Sequence, residues 1–225
     1  MGMKKLIVFD VNETLLDLKA LDPKFEQVFG NASVRTSWFG LVLRNSLVAT
    51  ITGRYDDFGK IAGAALEMTA QLHNVTLSDE DRTSIMGGIR SLPLHADVIP
   101  GLEKLTSAGF RLFTLTNSPA HVVETQLQNA GITGYFEKSF SVDAIKKFKP
   151  DAEVYQMTAK ELGVPADQIR LVAAHDWDVA GALLAGCTSA FIARPGHVLN
   201  PAMPAPDIIG KDLIGVVEQI IAMDS

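Results

Sequence analysis

Short apolar runs alternate with amphipathic stretches along much of the chain. Four of these runs have the length of strands that are buried on both faces of a parallel sheet, and they cover residues 6–9, 111–115, 169–174 and 189–193. Weaker extended segments cover residues 136–142 and 207–210. Between these segments, apolar residues recur with the spacing of helices. One of the helices is expected to begin at Ser118 and Pro119, as its N-cap and first residue. This alternation predicts an α/β fold with a doubly wound, mostly parallel sheet and a Rossmann-like core.

Residues 17–92 follow a different pattern. Apolar residues between Phe58 and Leu72 recur with the spacing of one helix face. Ser78 precedes three acidic residues, which is typical of a helix start because the hydroxyl caps the helix and the acids complement its dipole. The stretch therefore predicts several consecutive helices, without a convincing strand, after the first strand of the sheet.

The composition and charge of the chain argue against several classes of protein. The chain has 225 residues, 47% of them apolar, and a net charge of −6, without a long basic run. Such a chain is expected to be globular, and it lacks the cluster of positive charge with which proteins bind nucleic acid. Cys187 is the only cysteine, so no intrachain disulfide can form. The apolar run at 6–9 is too short for a signal peptide or a membrane span, so no membrane contact and a cytoplasmic location are expected.

Polar residues stand at the carboxyl ends of the predicted strands and in one loop before a helix. They are Asp10 with Thr14, Thr116 with Asn117, residues 175–178, and Lys149. Because parallel strands end at the same edge of a sheet, we expect these residues to converge there. Each also has a simpler interpretation: Asp10 as a turn or cap residue, Thr116 as a strand former, Lys149 as a solvated lysine, His175 as a structural histidine, and Trp177 as packing.

A carboxylate at a strand end can act as a nucleophile that forms an ester. Lys149 would orient Asp10, and Thr14, Thr116 and Asn117 would donate hydrogen bonds to carboxylate oxygens. A second carboxylate, Asp178 or Asp176, would then position or deprotonate the water that hydrolyses the ester. No metal-ligand spacing of cysteine and histidine, P-loop, GxSxG or GxGxxG motif is present.

The order of these motifs resembles the haloacid dehalogenase superfamily, and most closely the L-2-haloacid dehalogenases. The motifs are Phe-Asp-x-x-x-Thr-Leu around Asp10, an apolar strand ending in Thr-Asn, the Lys149-Pro150 pair, and an apolar strand leading to Asp178. Asn12 stands where the phosphatases of that superfamily carry a second aspartate, and Ala174 stands where an acidic residue would serve their Mg²⁺ site. The resemblance implies a core domain of residues 1–16 and 93–225 and a helical cap domain of residues 17–92.

The resemblance further implies a metal-independent hydrolase of the (S)-2-haloacid dehalogenase type that needs no cofactor. Asp10 would displace halide from a short 2-haloalkanoic acid, and water held by Asp178 would hydrolyse the ester. Tyr155 would help to line the site, together with Asn12, Phe39 and Trp177. The only expected partner is a small-molecule substrate, and an apolar cap face would allow a homodimer.

One departure from the family pattern concerns the substrate site. The dehalogenases have an arginine directly after the cap tryptophan, and this chain has Phe39 after Trp38. Arg44 or Arg54 would have to substitute for that arginine, or His175 would bind the halide or carboxylate. Two alternatives therefore stay open, a phosphatase-like hydrolase of a small phosphate ester and a non-catalytic binding protein on the same fold.

Overall fold

A computed structural model describes residues 4–224 and contains one six-stranded sheet. Its strands are β1 (Leu6–Phe9), β2 (Leu112–Thr116), β3 (Lys138–Ser141), β4 (Ile169–Ala173), β5 (Thr188–Ile192) and β6 (Ile208–Gly210). They lie in the order β3-β2-β1-β4-β5-β6, and every neighbouring pair is parallel. The predicted doubly wound α/β fold is confirmed.

Five helices connect or follow the strands of the sheet after β1. They are α5 (Val98–Ser107), α6 (Ala120–Asn129), α7 (Ala152–Leu162), α8 (Asp176–Leu184) and α9 (Leu213–Asp224). The strand order reverses on either side of β1, so the carboxyl end of β1 lies at the switch point of the sheet. Ligands of open α/β sheets bind at such a point. β1, β2 and β4 are buried along their whole length, which explains their continuous apolar runs.

Four helices occupy the stretch that lacks strand patterns. They are α1 (Asp22–Phe29), α2 (Val34–Ile51), α3 (Phe58–Leu72) and α4 (Asp79–Gly88). Ser78 forms the predicted cap of α4, as part of a capping box with Asp81. Trp38 is buried against Phe25 and donates its indole N–H to Ala62 O. No helix in the described part of the chain is both long and apolar enough to cross a membrane.

The chain enters and leaves this helical stretch at one place. Asp17 N donates to Pro93 O at 2.8 Å, and His95 N donates to Leu15 O at 3.0 Å. The paired segments support the predicted boundaries at residues 17 and 92, but the division into core and cap domains stays a prediction.

One local expectation was wrong. Ser118 does not cap α6, which begins at Ala120, because its hydroxyl accepts a hydrogen bond from Asn12 instead. Arg170, the second residue of the apolar strand β4, is charged and fully buried. Its guanidinium pairs with Asp207 and Asp224, so it fastens the start of β6 and the end of α9 to the sheet.

Candidate active site

The carboxylate of Asp10 lies at the centre of a group of polar side chains at the carboxyl edge of the sheet. Asp10 follows β1 directly and is 5% exposed. Its Oδ1 accepts a hydrogen bond from Lys149 Nζ at 2.8 Å, and its Oδ2 accepts one from Thr14 Oγ1 at 2.6 Å. His175 Nδ1 lies 3.2 Å from the same Oδ2. Burial alone would raise the pKa of Asp10, but Lys149 and His175 hold it well below its usual range.

The loop that carries Asp10 is fastened to the strands beside it. Asp10 N donates to Val172 O at 3.0 Å and so continues the ladder between β1 and β4. Ala174 N donates to Thr14 Oγ1 at 3.0 Å, which leaves the threonine proton to point at Asp10. Arg194 donates to Thr14 O at 2.9 Å. These bonds fix the orientation of the Asp10 carboxylate before any substrate binds.

Lys149 is buried and uses all three of its ammonium protons. Besides Asp10, they reach Asp178 Oδ2 at 2.5 Å and Leu115 O at 3.0 Å. Burial alone would lower the pKa of Lys149, but the charges of Asp10 and Asp178 outweigh it and hold this pKa above its usual value. The lysine is therefore a fixed cation shared by two carboxylates.

Asp178 lies in the first turn of α8 and is fully buried. Its Oδ2 accepts from Lys149, and its Oδ1 accepts from Tyr155 Oη at 2.6 Å. An ionised carboxylate has about four lone-pair sites, so each oxygen can still accept one further hydrogen bond. Asp176, the other candidate, makes no side-chain hydrogen bond to the polar groups around Asp10 within residues 4–224.

Thr116 and Asn117 end β2 beside Lys149. Asn117 Oδ1 accepts from Lys149 N at 3.0 Å, which leaves the amide protons of Asn117 available to a ligand. Thr116 Oγ1 accepts from Ser118 N at 3.1 Å, so its hydroxyl proton is available as well. This edge therefore presents donors of the kind that bind a carboxylate.

Asn12 is held away from the nucleophile by hydrogen bonds on both sides of its amide. Its Nδ2 donates to Ser118 Oγ at 3.2 Å, and its Oδ1 accepts from Gln126 Nε2 at 3.0 Å. Neither Ser118 nor Gln126 was among the residues predicted for the site. A serine directly after a strand-end Thr-Asn pair could be read from the sequence, but its hydrogen bond to Asn12 could not.

His175 bridges Asp10 to a second carboxylate. Its Nε2 lies 2.9 Å from Glu13 Oε2, and its ring stacks on Trp177 with 4.9 Å between centroids. Burial alone would lower the pKa of His175, but its bonds to Asp10 and Glu13 raise this pKa to about 10. The ring of Phe39, the residue after Trp38, lies 6.3 Å from that of His175.

Glu13 and Arg35 are the charged residues that sequence reasoning missed. Arg35 lies three residues before Trp38, is 6% exposed, and approaches Glu13 Oε1 to 3.5 Å. Arg44 and Arg54, which were expected to supply a cation, are both exposed, and Arg44 bonds only its neighbour Asn45. The i to i+3 spacing of Arg35 and Trp38 on one helix was the signal that could have pointed to Arg35.

The structure brings together most of the residues predicted for the site, but not Asp176, Arg44 or Arg54. Hydrogen bonds or ring contacts connect Asp10, Thr14, Lys149, Asp178, Tyr155, His175 and Trp177 directly, and Thr116, Asn117, Asn12 and Phe39 adjoin that group. A rigid, buried carboxylate beside a fixed ammonium, with unused donors nearby, suits nucleophilic attack on an anionic substrate. The residues at positions 12 and 174 offer no carboxylate for Mg²⁺, whereas Glu13, His175 and His197 lie close enough together to ligate a metal ion.

Comparison with known proteins agrees with this architecture. Residues 4–186 match the sequence model of a family described as haloacid dehalogenase-like hydrolases. The (S)-2-haloacid dehalogenase of Pseudomonas sp. (strain YL) is 26% identical over 216 residues, which make up 95% of this chain and 93% of that protein. The solved L-2-haloacid dehalogenase of Xanthobacter autotrophicus superposes with a TM-score of 0.91 at 24% identity, over 98% of this chain and 100% of that one.

A second structure of the Xanthobacter enzyme, with chloropropionic acid covalently bound, superposes with a TM-score of 0.91 at 23% identity, over 98% of this chain and 100% of that one. At such identities the superpositions establish the fold. The family match extends from the first strand to the end of α8 and includes the whole Asp10 site. This chain therefore belongs to the haloacid dehalogenase-like hydrolases.

Proposed function

We propose that this hydrolase removes halide from short 2-haloalkanoic acids, as a metal-independent enzyme of the (S)-2-haloacid dehalogenase type. The observation that carries the proposal is the Asp10 carboxylate, whose two oxygens are held by Lys149 and Thr14 at 2.8 and 2.6 Å. The substrate class is supported by the (S)-2-haloacid dehalogenase of Pseudomonas sp. (strain YL), which is similar over 95% of this chain.

The first step is displacement of halide. An Asp10 oxygen attacks C2 of the halo acid, the carbon–halogen bond breaks, and the halide leaves with the bonding electron pair. The configuration at C2 inverts, and an ester joins Asp10 to the acid. Lys149 and Thr14 fix the attacking carboxylate, which lowers the entropic part of the barrier. Thr116 and Asn117 are proposed to bind the substrate carboxylate with their unused donors, and His175 to offset its charge or that of the departing halide.

The second step is hydrolysis of the ester. Water attacks Cγ of Asp10 and one of its protons passes to Asp178. The bond between Cγ and the ester oxygen then breaks, the departing alkoxide takes that proton from Asp178 and leaves as the hydroxy acid, and Asp10 releases the second water proton to return to a carboxylate. The lone pairs that Asp178 keeps free and its contact with Lys149 support this role. Tyr155 is proposed to hold Asp178 in position, with Phe39 and Trp177 shielding the ester from bulk solvent.

Halide release tests the proposal directly. Purified protein is incubated with each enantiomer of 2-chloropropionate, with haloacetates and with p-nitrophenyl phosphate, in EDTA or in Mg²⁺, and Asp10→Asn is the control. Halide release from the (S) acid in EDTA, absent in Asp10→Asn, is the expected result. Phosphate release that requires Mg²⁺ would instead support the phosphatase alternative, and no turnover of any substrate would leave only a binding protein.

The assembly and location of the chain stay predictions. Exposed apolar side chains on α2 and α3, including Val48, Ile51 and Leu72, mark the surface on which a homodimer would form. Light scattering on the purified protein tests the dimer. A cytoplasmic location is supported by a single cysteine and by the absence of a spanning helix in residues 4–224, and fractionation of cells tests it.

A further inference from the structure

Glu13, His175 and His197 form a cluster beside the nucleophile that the proposed reaction does not use as a unit. One ligand atom from each lies within 4.8 Å of the others. His175 Nε2 lies 2.9 Å from Glu13 Oε2, and His197 Nε2 lies 3.8 Å from Glu13 Oε1. From the sequence we expected no metal site, because it has no metal-ligand spacing of cysteine and histidine and resembles metal-independent dehalogenases.

We infer that Glu13, His175 and His197 form a binding site for a transition-metal ion such as Zn²⁺. Two imidazole nitrogens and one carboxylate oxygen suit zinc, nickel, copper or iron, whereas Mg²⁺ prefers a set of oxygen ligands. The proposed site differs from the Mg²⁺ site of the superfamily's phosphatases. The positions of that site are Asn12 and Ala174 here, and neither offers a carboxylate.

The backbone presents Glu13 to both imidazoles. Glu13 has φ +63, a left-handed conformation that residues other than glycine rarely adopt. Glu13 N donates to Leu16 O at 2.8 Å, and Glu13 O lies 3.2 Å from His95 Nε2, so the conformation is fixed from both sides. Such strain persists where the surroundings over-determine it and is concentrated at functional sites.

His175 is oriented as metal-bound histidines usually are. Its Nδ1 lies 3.2 Å from the Asp10 carboxylate, so its Nε2 faces Glu13 and the proposed ion. A carboxylate on the other ring nitrogen fixes the ring and makes the ligand more basic.

His197 completes the site from the loop that follows β5. Its ring stands edge-on to that of His175, with 5.2 Å between centroids and 74° between planes. The ring makes no hydrogen bond within residues 4–224, although its side chain is only 21% exposed. A cavity of about 100 Å³ borders His197, Glu13 and His95. Since a water occupies about 30 Å³, this space holds the waters that would complete the coordination of an ion.

Several positive charges oppose a cation at this position, because Lys19 and Arg194 line the same cavity and His175 must release its proton before Nε2 can bind an ion. Arg35 Nη1 lies 3.5 Å from Glu13 Oε1. The guanidinium of Arg35 also pairs with Asp22, however, so Glu13 is not the only carboxylate that balances its charge. An ion bound here would draw Glu13 and His175 Nε2 away from each other. If the proposed function holds, zinc would therefore inhibit halide release, because His175 contacts Asp10.

Calorimetry with protein that carries no histidine tag tests the site, with ZnCl₂ and CoCl₂ as titrants and the visible spectrum of bound Co²⁺ as a second signal. We expect one ion per chain for the wild type and for His121→Gln, an exposed histidine on α6 that serves as the matched control. His197→Ala and Glu13→Gln should each weaken binding by at least about tenfold. Thermal unfolding of each variant verifies that it is folded.

Two results would overturn the inference: no saturable binding by the wild type, or unchanged binding by His197→Ala. Halide release in EDTA is measured on the same preparations and keeps the two proposals apart. Turnover without metal binding rejects only the metal site, whereas metal binding without turnover of any halo acid rejects only the proposed function.

Discussion

At the scale of single residues, the site is defined by the way Lys149 is shared between Asp10 and Asp178. Its ammonium lies 2.8 Å from one carboxylate and 2.5 Å from the other, and all three side chains are buried. Buried charges are costly unless they are paired and hydrogen-bonded. Lys149 therefore serves the stability of the site as well as its chemistry.

Replacing Lys149 by methionine should remove activity and destabilise the fold. Breaking a buried ion pair costs about 3–5 kcal/mol, because the carboxylates that remain are buried without a partner. Urea unfolding and single-turnover halide release measure the two effects. Lys147→Met, which removes a surface lysine paired with Glu153, is the matched control and should change neither. Wild-type halide release by Lys149→Met would contradict the role of the lysine.

Asp178→Asn should separate the two chemical steps. The amide keeps the size of the carboxylate but cannot accept the proton of the attacking water, so the ester should form and persist. We expect a burst of one halide per chain followed by little turnover, with the acid found as an ester on the peptide that contains Asp10. Continued turnover at the wild-type rate, followed by halide assay over many cycles, would show that another group takes the proton.

Cys187 should be almost inert in the folded protein. It lies between α8 and β5, is 5% exposed, and burial raises the pKa of its thiol to about 11. At pH 8 only about one molecule in a thousand would then carry the reactive thiolate. Iodoacetamide labelling followed by mass spectrometry should be slow in the native state and complete in urea. Rapid stoichiometric labelling of the native protein would contradict this burial.

At the scale of elements, the site depends on how closely α8 approaches the Lys149-Pro150 segment. A Cβ added at Gly181 would meet Pro150 and would lie 2.7 Å from Tyr155 Oη. The glycine therefore lets α8 bring Asp178 up to Lys149 and Tyr155. Glycine is required here because α8 and Pro150 approach closely. A left-handed backbone is not the reason, since Gly181 lies within a helix.

Gly181→Ala should lower both activity and stability. Inserting a methyl group into a packed contact costs about 1–3 kcal/mol and would push Tyr155 or Lys149 from its position. Gly63→Ala on α3 is the control, because no atom lies within 4 Å of the added Cβ, and alanine should stabilise that helix by about 0.5–1 kcal/mol. Thermal unfolding and steady-state halide release test both variants, and an active, stable Gly181→Ala would contradict the packing argument.

At the scale of the whole molecule, several distant segments are joined behind the site by Asp97. Its carboxylate accepts two hydrogen bonds from Arg194, at 2.8 and 2.7 Å, and one from the backbone of Leu213 at 2.6 Å. Arg194 in turn holds Thr14 O beside the nucleophile. One carboxylate thus connects α5, the loop after β5, the start of α9 and the Asp10 loop.

The contribution of Asp97 to stability should disappear in acid. Burial alone would raise its pKa, but the bonds from Arg194 and Leu213 hold it below its usual value. A lowered folded-state pKa gives stability that is present above the unfolded-state pKa of about 3.9 and is lost as the pH falls through the folded-state value. Urea unfolding should show wild type more stable than Asp97→Asn at pH 7, with a difference that shrinks below about pH 4. A constant difference across this range would contradict the argument.

The sequence predicted those parts of the site that follow from topology. Asp10 and Thr116 stand at strand ends and Asp178 lies in the first turn of the helix after β4, and parallel strands place their ends at one edge whatever the details of packing. The predictions failed where distant side chains decide the outcome. Glu13 reaches His175 only through a left-handed backbone, and Arg35 reaches Glu13 only because the helical stretch packs against the sheet.

The central claim is that Asp10 attacks the substrate and that water attacks only the ester formed on Asp10. A single turnover in H₂¹⁸O tests this claim most directly. With excess enzyme and (S)-2-chloropropionate, the product hydroxyl should take its oxygen from Asp10, and the peptide that contains Asp10 should gain one ¹⁸O. Label in the hydroxy acid and none in that peptide would show that water attacks the substrate directly, and would contradict the account of Asp10 as nucleophile.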